Sequence, residues 1–261
     1  MKKFFIGFLT LALILPFLFG STDRKLPDQV TVPILLYHHV AAGDHPGRYF
    51  VSPEDFSAQM KSLKNWGYTT ITIEKLVKAL AKGSQLPDRP VVITFDDGNL
   101  DVYEQAYPVM EQLGFIGSVY LVANRLDTDG FLQKKQLKKM LASGWEVGSH
   151  SMTHADLVHD HAHVRREILQ SRLDLNKILD IEVETFAYPF GLTDDYISYR
   201  VQNYGYRAGL GLGTGFNHSI GTLYYLSRIE VRGDFELDDF ASLLPWSKPI
   251  FPYNPRRMIP R

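Results

Sequence analysis

The chain has no cysteine. That excludes disulfides and a lipidated N-terminal cysteine, and it leaves histidine and carboxylates as the available strong metal ligands. It also lacks a charge excess: 28 basic against 29 acidic residues leave a net charge of −1. No electrostatic case for a nucleic-acid partner follows from that balance. Internal repeats and low-complexity tracts are missing as well. Long apolar runs are scarce, and the longest, Phe4 to Phe19, is somewhat short for a membrane span of about 20 residues and contains Pro16.

Lys2 and Lys3 precede that run and Gly20-Ser21-Thr22-Asp23 follow it. A basic start, an apolar stretch and a small-residue exit are the anatomy of an export signal. Residues 1–21 are therefore expected to be a signal peptide or an N-terminal anchor, 22–32 a polar linker, and 33–261 the folded domain. The protein is expected to be secreted or held in the cell envelope, with any membrane attachment through the N-terminal segment alone. Aromatic residues at 13% suit a large core and would equally suit a carbohydrate cleft.

Val91-Val92-Ile93-Thr94-Phe95 runs straight into Asp96-Asp97-Gly98. An unbroken β-branched and aromatic run predicts a strand buried on both faces, as in parallel sheets covered by helices. Unpaired carboxylates inside such a strand are costly, so both acids belong at its C-terminal end. Around it, short apolar strands and amphipathic helices alternate about seven or eight times. Strands are predicted near 33–37, 69–73, 117–122, 145–149, 183–188, 206–212 and 226–231. Helices are predicted at 53–66, 73–81, 102–113, 132–141, 161–179, 194–204 and 235–244. Ser52-Pro53 and Gly83 are start and stop signals among them. This alternation predicts a βα barrel, whose active groups collect at the C-terminal ends of the strands.

His150 and His154, four residues apart, end another predicted strand. Two histidines and one carboxylate make a facial ligand set that leaves positions open for water and substrate. One of the two aspartates is the natural third ligand. Neighbours on a strand point to opposite sides, so Asp96 and Asp97 should have different jobs, one as ligand and one as base toward water. They are a poor glycosidase pair, which needs carboxyls facing one bond from both sides. Metal-assisted hydrolysis of an ester or amide is the chemistry these groups allow.

Thr94-Phe-Asp-Asp-Gly98, His150-Ser-x-x-His154 and Tyr188-Pro-Phe-Gly191, in this order, resemble the first three motifs of the polysaccharide deacetylases with the NodB homology domain. Pro33-Ile-Leu-Leu-Tyr-His38 resembles the subgroup containing the poly-N-acetylglucosamine deacetylases. The resemblance spans about residues 33–231. It implies a distorted (β/α) barrel of about seven strands in which Asp96 is the base and Asp97, His150 and His154 hold a divalent ion, zinc first, with cobalt or nickel as alternatives. It also implies substrate contacts at Tyr188 and Phe190, the Phe190 N–H serving the oxyanion. The expected activity is removal of N-acetyl groups from an N-acetylglucosamine-containing polysaccharide of the envelope or matrix. An esterase for O-acetylated glycans and a non-catalytic glycan-binding protein are the alternatives.

Two departures stand out. Ala187 precedes Tyr188 where many relatives carry an arginine that orients the base, and Arg228 or Arg232 is the expected substitute. The late Leu-x-Leu-His that usually supplies the general acid is missing. In a barrel the first strand closes beside the last, so His38 is expected to replace it, with His39 turned to the other side. Other signals carry little. His159, His161 and His163 read as solvated. Gly209-Leu-Gly-Leu-Gly213-Thr-Gly215 lacks dinucleotide-loop spacing, and Arg256, Arg257 and Arg261 are too few for a polyanion site.

Overall fold

The computed structural model describes residues 26–42 and 47–247. The expected signal segment, the first residues of the expected linker and the basic tail arginines lie outside them. Seven parallel strands form a curled sheet: β1 (Ile34–Tyr37), β2 (Pro90–Phe95), β3 (Ser118–Leu121), β4 (Glu146–Ser149), β5 (Thr185–Ala187), β6 (Ala208–Leu210) and β7 (Ile229–Glu230). Their order is β6-β5-β4-β3-β2-β1-β7. The first and last strands are neighbours, Leu35 opposite Ile229. The remaining gap is bridged where Gly211 N–H donates to Leu226 O at 2.9 Å and Gly213 N–H to Arg228 O at 2.9 Å. The fold is a distorted (β/α) barrel. A short strand at Thr69–Thr70 pairs with the start of β2.

Helices α1 (Pro53–Asn65), α2 (Ile73–Lys82), α3 (Tyr107–Gln112), α4 (Lys134–Ala142), α5 (Ser171–Leu179), α6 (Asp195–Asn203) and α7 (Leu237–Ser242) follow the chain. The caps behave as their residues dictate. The Ser52 hydroxyl accepts from Asp55 N–H, and Gly83 closes α2 in the left-handed region. None of the described helices is long and apolar enough to cross a membrane. Two predicted helices differ in kind. Residues 102–112 begin as a π-helical turn before α3, and the expected long helix over 161–179 is a 3-10 turn, a π turn (Arg165–Gln170) and α5.

Strand alternation sorts the side chains. On β1 and β2, Leu35, Tyr37, Val91, Ile93 and Phe95 pack outward with helix residues such as Phe56, Met60 and Met110. Ile34 and Val92 point into the barrel with Tyr120, Ala187 and Leu210. Gly209 of β6 and Gly211 just beyond it make room for neighbouring rings. A Cβ on Gly209 would stand 2.4 Å from the Tyr188 hydroxyl, and one on Gly211 2.4 Å from the Tyr225 ring. These two are spacers for aromatic side chains, and Gly213 makes the same kind of room for the Ser227 hydroxyl.

Candidate active site

The inward parity of the strands continues past their ends. After Val92 and Thr94 comes Asp96, after Ile34 and Leu36 comes His38, after Gly148 comes His150, and Leu226 leads to Arg228 and Glu230. Asp96, His38, His150, Arg228 and Glu230 all line one cavity of about 330 Å³ at the C-terminal mouth, together with Asp97, His154 and Phe190. Asp97 has the wrong parity for this and is re-aimed by its backbone, which sits in the left-handed region at φ 70°. Ser151, His154 and Phe190 share that conformation. Left-handed non-glycine residues cost about 1–3 kcal/mol each and persist where the surroundings fix them. Four of them fall in the three motif loops.

Arg228 is buried and holds Asp96 with two parallel bonds, Nη1 to Oδ1 at 2.7 Å and Nη2 to Oδ2 at 2.8 Å. Its Nε–H donates to Gly211 O at 3.2 Å. Arg232 instead pairs with exposed Asp234, so of the two candidate arginines Arg228 is the one that reaches Asp96. Burial by itself would raise the Asp96 carboxyl. The Arg228 charge, then His150, overcome it and bring it down to about 2. Asp96 is therefore an ionised carboxylate in a nearly closed environment.

The His150 ring bonds through Nδ1 to Ala187 O at 2.8 Å, leaving Nε2 to face Asp96 Oδ2 at 3.6 Å. His154 Nε2 lies 3.7 Å from Asp97 Oδ1. One atom each from Asp97, His150 and His154 lies within 4.8 Å of the others. Two imidazole nitrogens and a carboxylate oxygen, with one ring fixed by a carbonyl behind it, suit a divalent ion of borderline hardness. Arg125 Nη1 reaches Asp97 Oδ1 at 3.2 Å from the rim.

The loop carrying both histidines is held from behind. Glu167, buried in the π turn, accepts from Met152 N–H at 3.1 Å, Thr153 N–H at 2.8 Å and the Thr153 hydroxyl at 3.0 Å. The Ser151 hydroxyl accepts from His154 N–H at 2.8 Å. Sequence reasoning missed Glu167. An acid three residues after Val164 and beside Ile168, on the apolar stripe, was the available signal.

His38 has Nδ1 enclosed and without a hydrogen-bond partner among the described residues, and its ring is edge-on to Tyr49, centroids 4.7 Å apart. Burial lowers its pKa, while Asp96 and Asp97 pull it up. His39 also reaches the cavity rim, half-buried, stacked on Phe50 and bonded to Asp101. Phe190 is exposed and stands edge-on to His154 at 4.5 Å. Tyr188 corrects the expectation of a substrate contact. It shares the outward parity of Phe186, is fully buried in the helix layer, and donates its hydroxyl to Tyr224 O at 2.8 Å. His159, His161 and His163 are exposed and near Asp156, Asp194 and Asp160, away from this cavity.

Residues 83–209 match the family model for polysaccharide deacetylase. A poly-beta-1,6-N-acetyl-D-glucosamine N-deacetylase of Staphylococcus aureus is 26% identical over 201 residues, 71% of this chain and 69% of its own length. A polysaccharide deacetylase from Bacillus cereus superposes with a TM-score of 0.74 at 30% identity, covering 82% of this chain and 69% of that one. A Streptococcus pyogenes deacetylase solved in complex with acetate shares the fold, with a TM-score of 0.77 at 24% identity over 82% of this chain and 98% of that one. With these likenesses and the three motif loops gathered at one barrel mouth, the chain belongs to the polysaccharide deacetylase family and carries its NodB homology domain.

Proposed function

We propose that this protein hydrolyses the N-acetyl groups of an N-acetylglucosamine-containing polysaccharide, with Asp97, His150 and His154 holding a divalent ion, zinc first. The observation that carries the reading is the Arg228-held Asp96 carboxylate beside that ligand group in a cavity large enough for an acetamido sugar. The likeness to the Staphylococcus aureus deacetylase supports the substrate class. When bound, such an ion polarises a carbonyl and makes water more acidic.

The chain's own groups divide the remaining work. Asp96 Oδ2, free of competing protons at neutral pH, takes a proton from water. Arg228 fixes its orientation and keeps it ionised. The Phe190 N–H, in its left-handed turn, donates to the developing oxyanion. His38 returns a proton to the departing sugar nitrogen, because its enclosed Nδ1 leaves Nε2 as the atom able to meet the cavity.

Acetate release from an N-acetylglucosamine oligomer, compared with an acetylated xylan, tests the reading. Preferential release from the oligomer is expected. Release from xylan alone would make the protein an O-acetyl esterase, and release from neither would make it a glycan-binding protein. Asp96→Asn should keep the metal and lose hydrolysis by about 10²-fold or more. Near-wild-type turnover by that variant would remove Asp96 as base.

A further inference from the structure

The segment after β1 is held by the loop after β2. Asn99, nearly buried, donates its Nδ2–H to the carbonyl of His38 at 3.1 Å. Asp101 uses both carboxylate oxygens two residues further on. Oδ1 accepts from Val40 N–H at 3.1 Å, and Oδ2 meets His39 Nδ1 at 2.6 Å. The His39 ring is then stacked on Phe50, centroids 4.2 Å apart and planes 5° apart. His39 N–H donates to Tyr49 O at 3.0 Å, and Tyr49 in turn meets the His38 ring. Among the described residues no direct bond orients the enclosed His38 Nδ1. The placement of that imidazole therefore depends on its main chain and on the Tyr49 wall, and both are fixed through residues 39–40.

We infer that Asp101 is a positioning residue for proton donation: with Asn99 it clamps residues 38–40 so that the His38 ring stands over the cavity. The inference rests on the reading of His38 as the proton donor. It ties donor and base to one loop, since Asp96, Asp97, Asn99 and Asp101 are successive parts of it. Amide cleavage breaks the C–N bond with its electron pair leaving on nitrogen, and that nitrogen needs a proton from the donor as it departs. An aryl oxide leaves as a stable anion and needs none. Loss of donor placement should thus be visible in the leaving group, whereas general damage to the barrel should not discriminate.

The test compares zinc-loaded full-length wild type, His38→Ala, Asp101→Ala and Asp101→Asn on an N-acetylglucosamine oligomer and on 4-nitrophenyl acetate, with bound zinc measured in each. Asp101→Ala should lower kcat on the oligomer by about 10–100-fold with KM and zinc unchanged, the size expected for a misplaced group. It should leave the aryl ester within about threefold, because that step needs no acid. His38→Ala should show the same split, larger. Asp101→Asn, which keeps an oxygen for Val40 N–H, should recover most of the oligomer rate. Equal losses of Asp101→Ala on both substrates, or an unchanged oligomer rate, would overturn the positioning role while His38 keeps its split. If His38→Ala treats both substrates alike, the donor assignment falls and the clamp's role in donation falls with it.

Discussion

Arg228→Met offers the sharpest physical test of the site. Arg228 is 1% exposed and Asp96 2% exposed, so neither charge has water to fall back on. The Asp96 carboxyl is lowered from 3.8 to about 2 in the fold. At about 1.4 kcal/mol per pKa unit, that depression is on the order of 2 kcal/mol of stability at neutral pH. Because the folded value lies below the unfolded one, the contribution is present above about pH 4 and disappears as pH falls through about 2. Removing the guanidinium also takes away the largest influence opposing burial of the carboxylate, leaving mainly His150 against it, and removes the Nε–H that Gly211 O accepts. Breaking a buried pair from one side costs on the order of 3–5 kcal/mol. Urea unfolding at pH 7 with chelator present, so that metal binding does not contribute, should show that loss. In the Asp96→Asn background the same change should cost at least about 1 kcal/mol less, since no charge is left stranded. A loss below about 1 kcal/mol for Arg228→Met would refute the reasoning, as would additivity of the two changes within about 0.5 kcal/mol.

Single alanine changes at Asp97, His150 and His154 should each reduce bound zinc and activity together, and full metal occupancy in the His150→Ala, His154→Ala double variant, measured by elemental analysis, would sink the ligand assignment. At the other end of the barrel Glu146 is buried, receives the Ile73 and Glu74 N–H groups at the start of α2, and is pushed by burial from 4.5 up to about 7. Its folded value lies above its unfolded one, so it destabilises by up to about 3 kcal/mol as pH rises from about 4.5 through about 7; Glu146→Gln should flatten the pH dependence of the urea midpoint in that window, and an unchanged dependence would show that Glu146 titrates normally.

Much of the fold was legible because its signals are local. An apolar run ending in Asp-Asp-Gly, a Ser-Pro helix start and a glycine stop act within a few residues, and strands and helices formed where these signals stand. Boundaries slipped where long-range pairing decides them. The predicted strand over 226–231 shrinks to Ile229–Glu230, because residues 226–228 spend their hydrogen bonds closing the gap toward Gly211 and Gly213. The 161–179 helix breaks into a π turn at Arg165–Gln170, where Glu167 faces the backbone of the histidine loop. No local propensity requires that turn.

The site shows where sequence reasoning could have gone further. Side-chain parity along a buried strand separates groups that enter the barrel from groups that pack under the helices. Counting by twos from Val92 reaches Asp96, from Ile34 reaches His38, and from Leu226 reaches Arg228. The same count from Phe186 places Tyr188 in the helix layer, so its burial follows from the pattern that exposes its neighbours. Parity does not choose between Arg228 and Arg232, which share it. Depth does: Arg228 precedes β7, whose register puts Ile229 opposite Leu35, so its buried side chain rises inside the barrel to Asp96, whereas Arg232 lies beyond the strand, where Asp234 two residues away takes its guanidinium. Nor does parity place Asp97, whose carboxylate reaches the histidines only through a left-handed backbone. Gly98 follows at φ 77°, and a Cβ there would meet Leu121 at 2.8 Å. The Asp-Asp-Gly sequence thus encodes a reversal of direction as well as two charges. That reversal lets two adjacent carboxylates serve the same cavity, one held by Arg228 and the other turned toward His154.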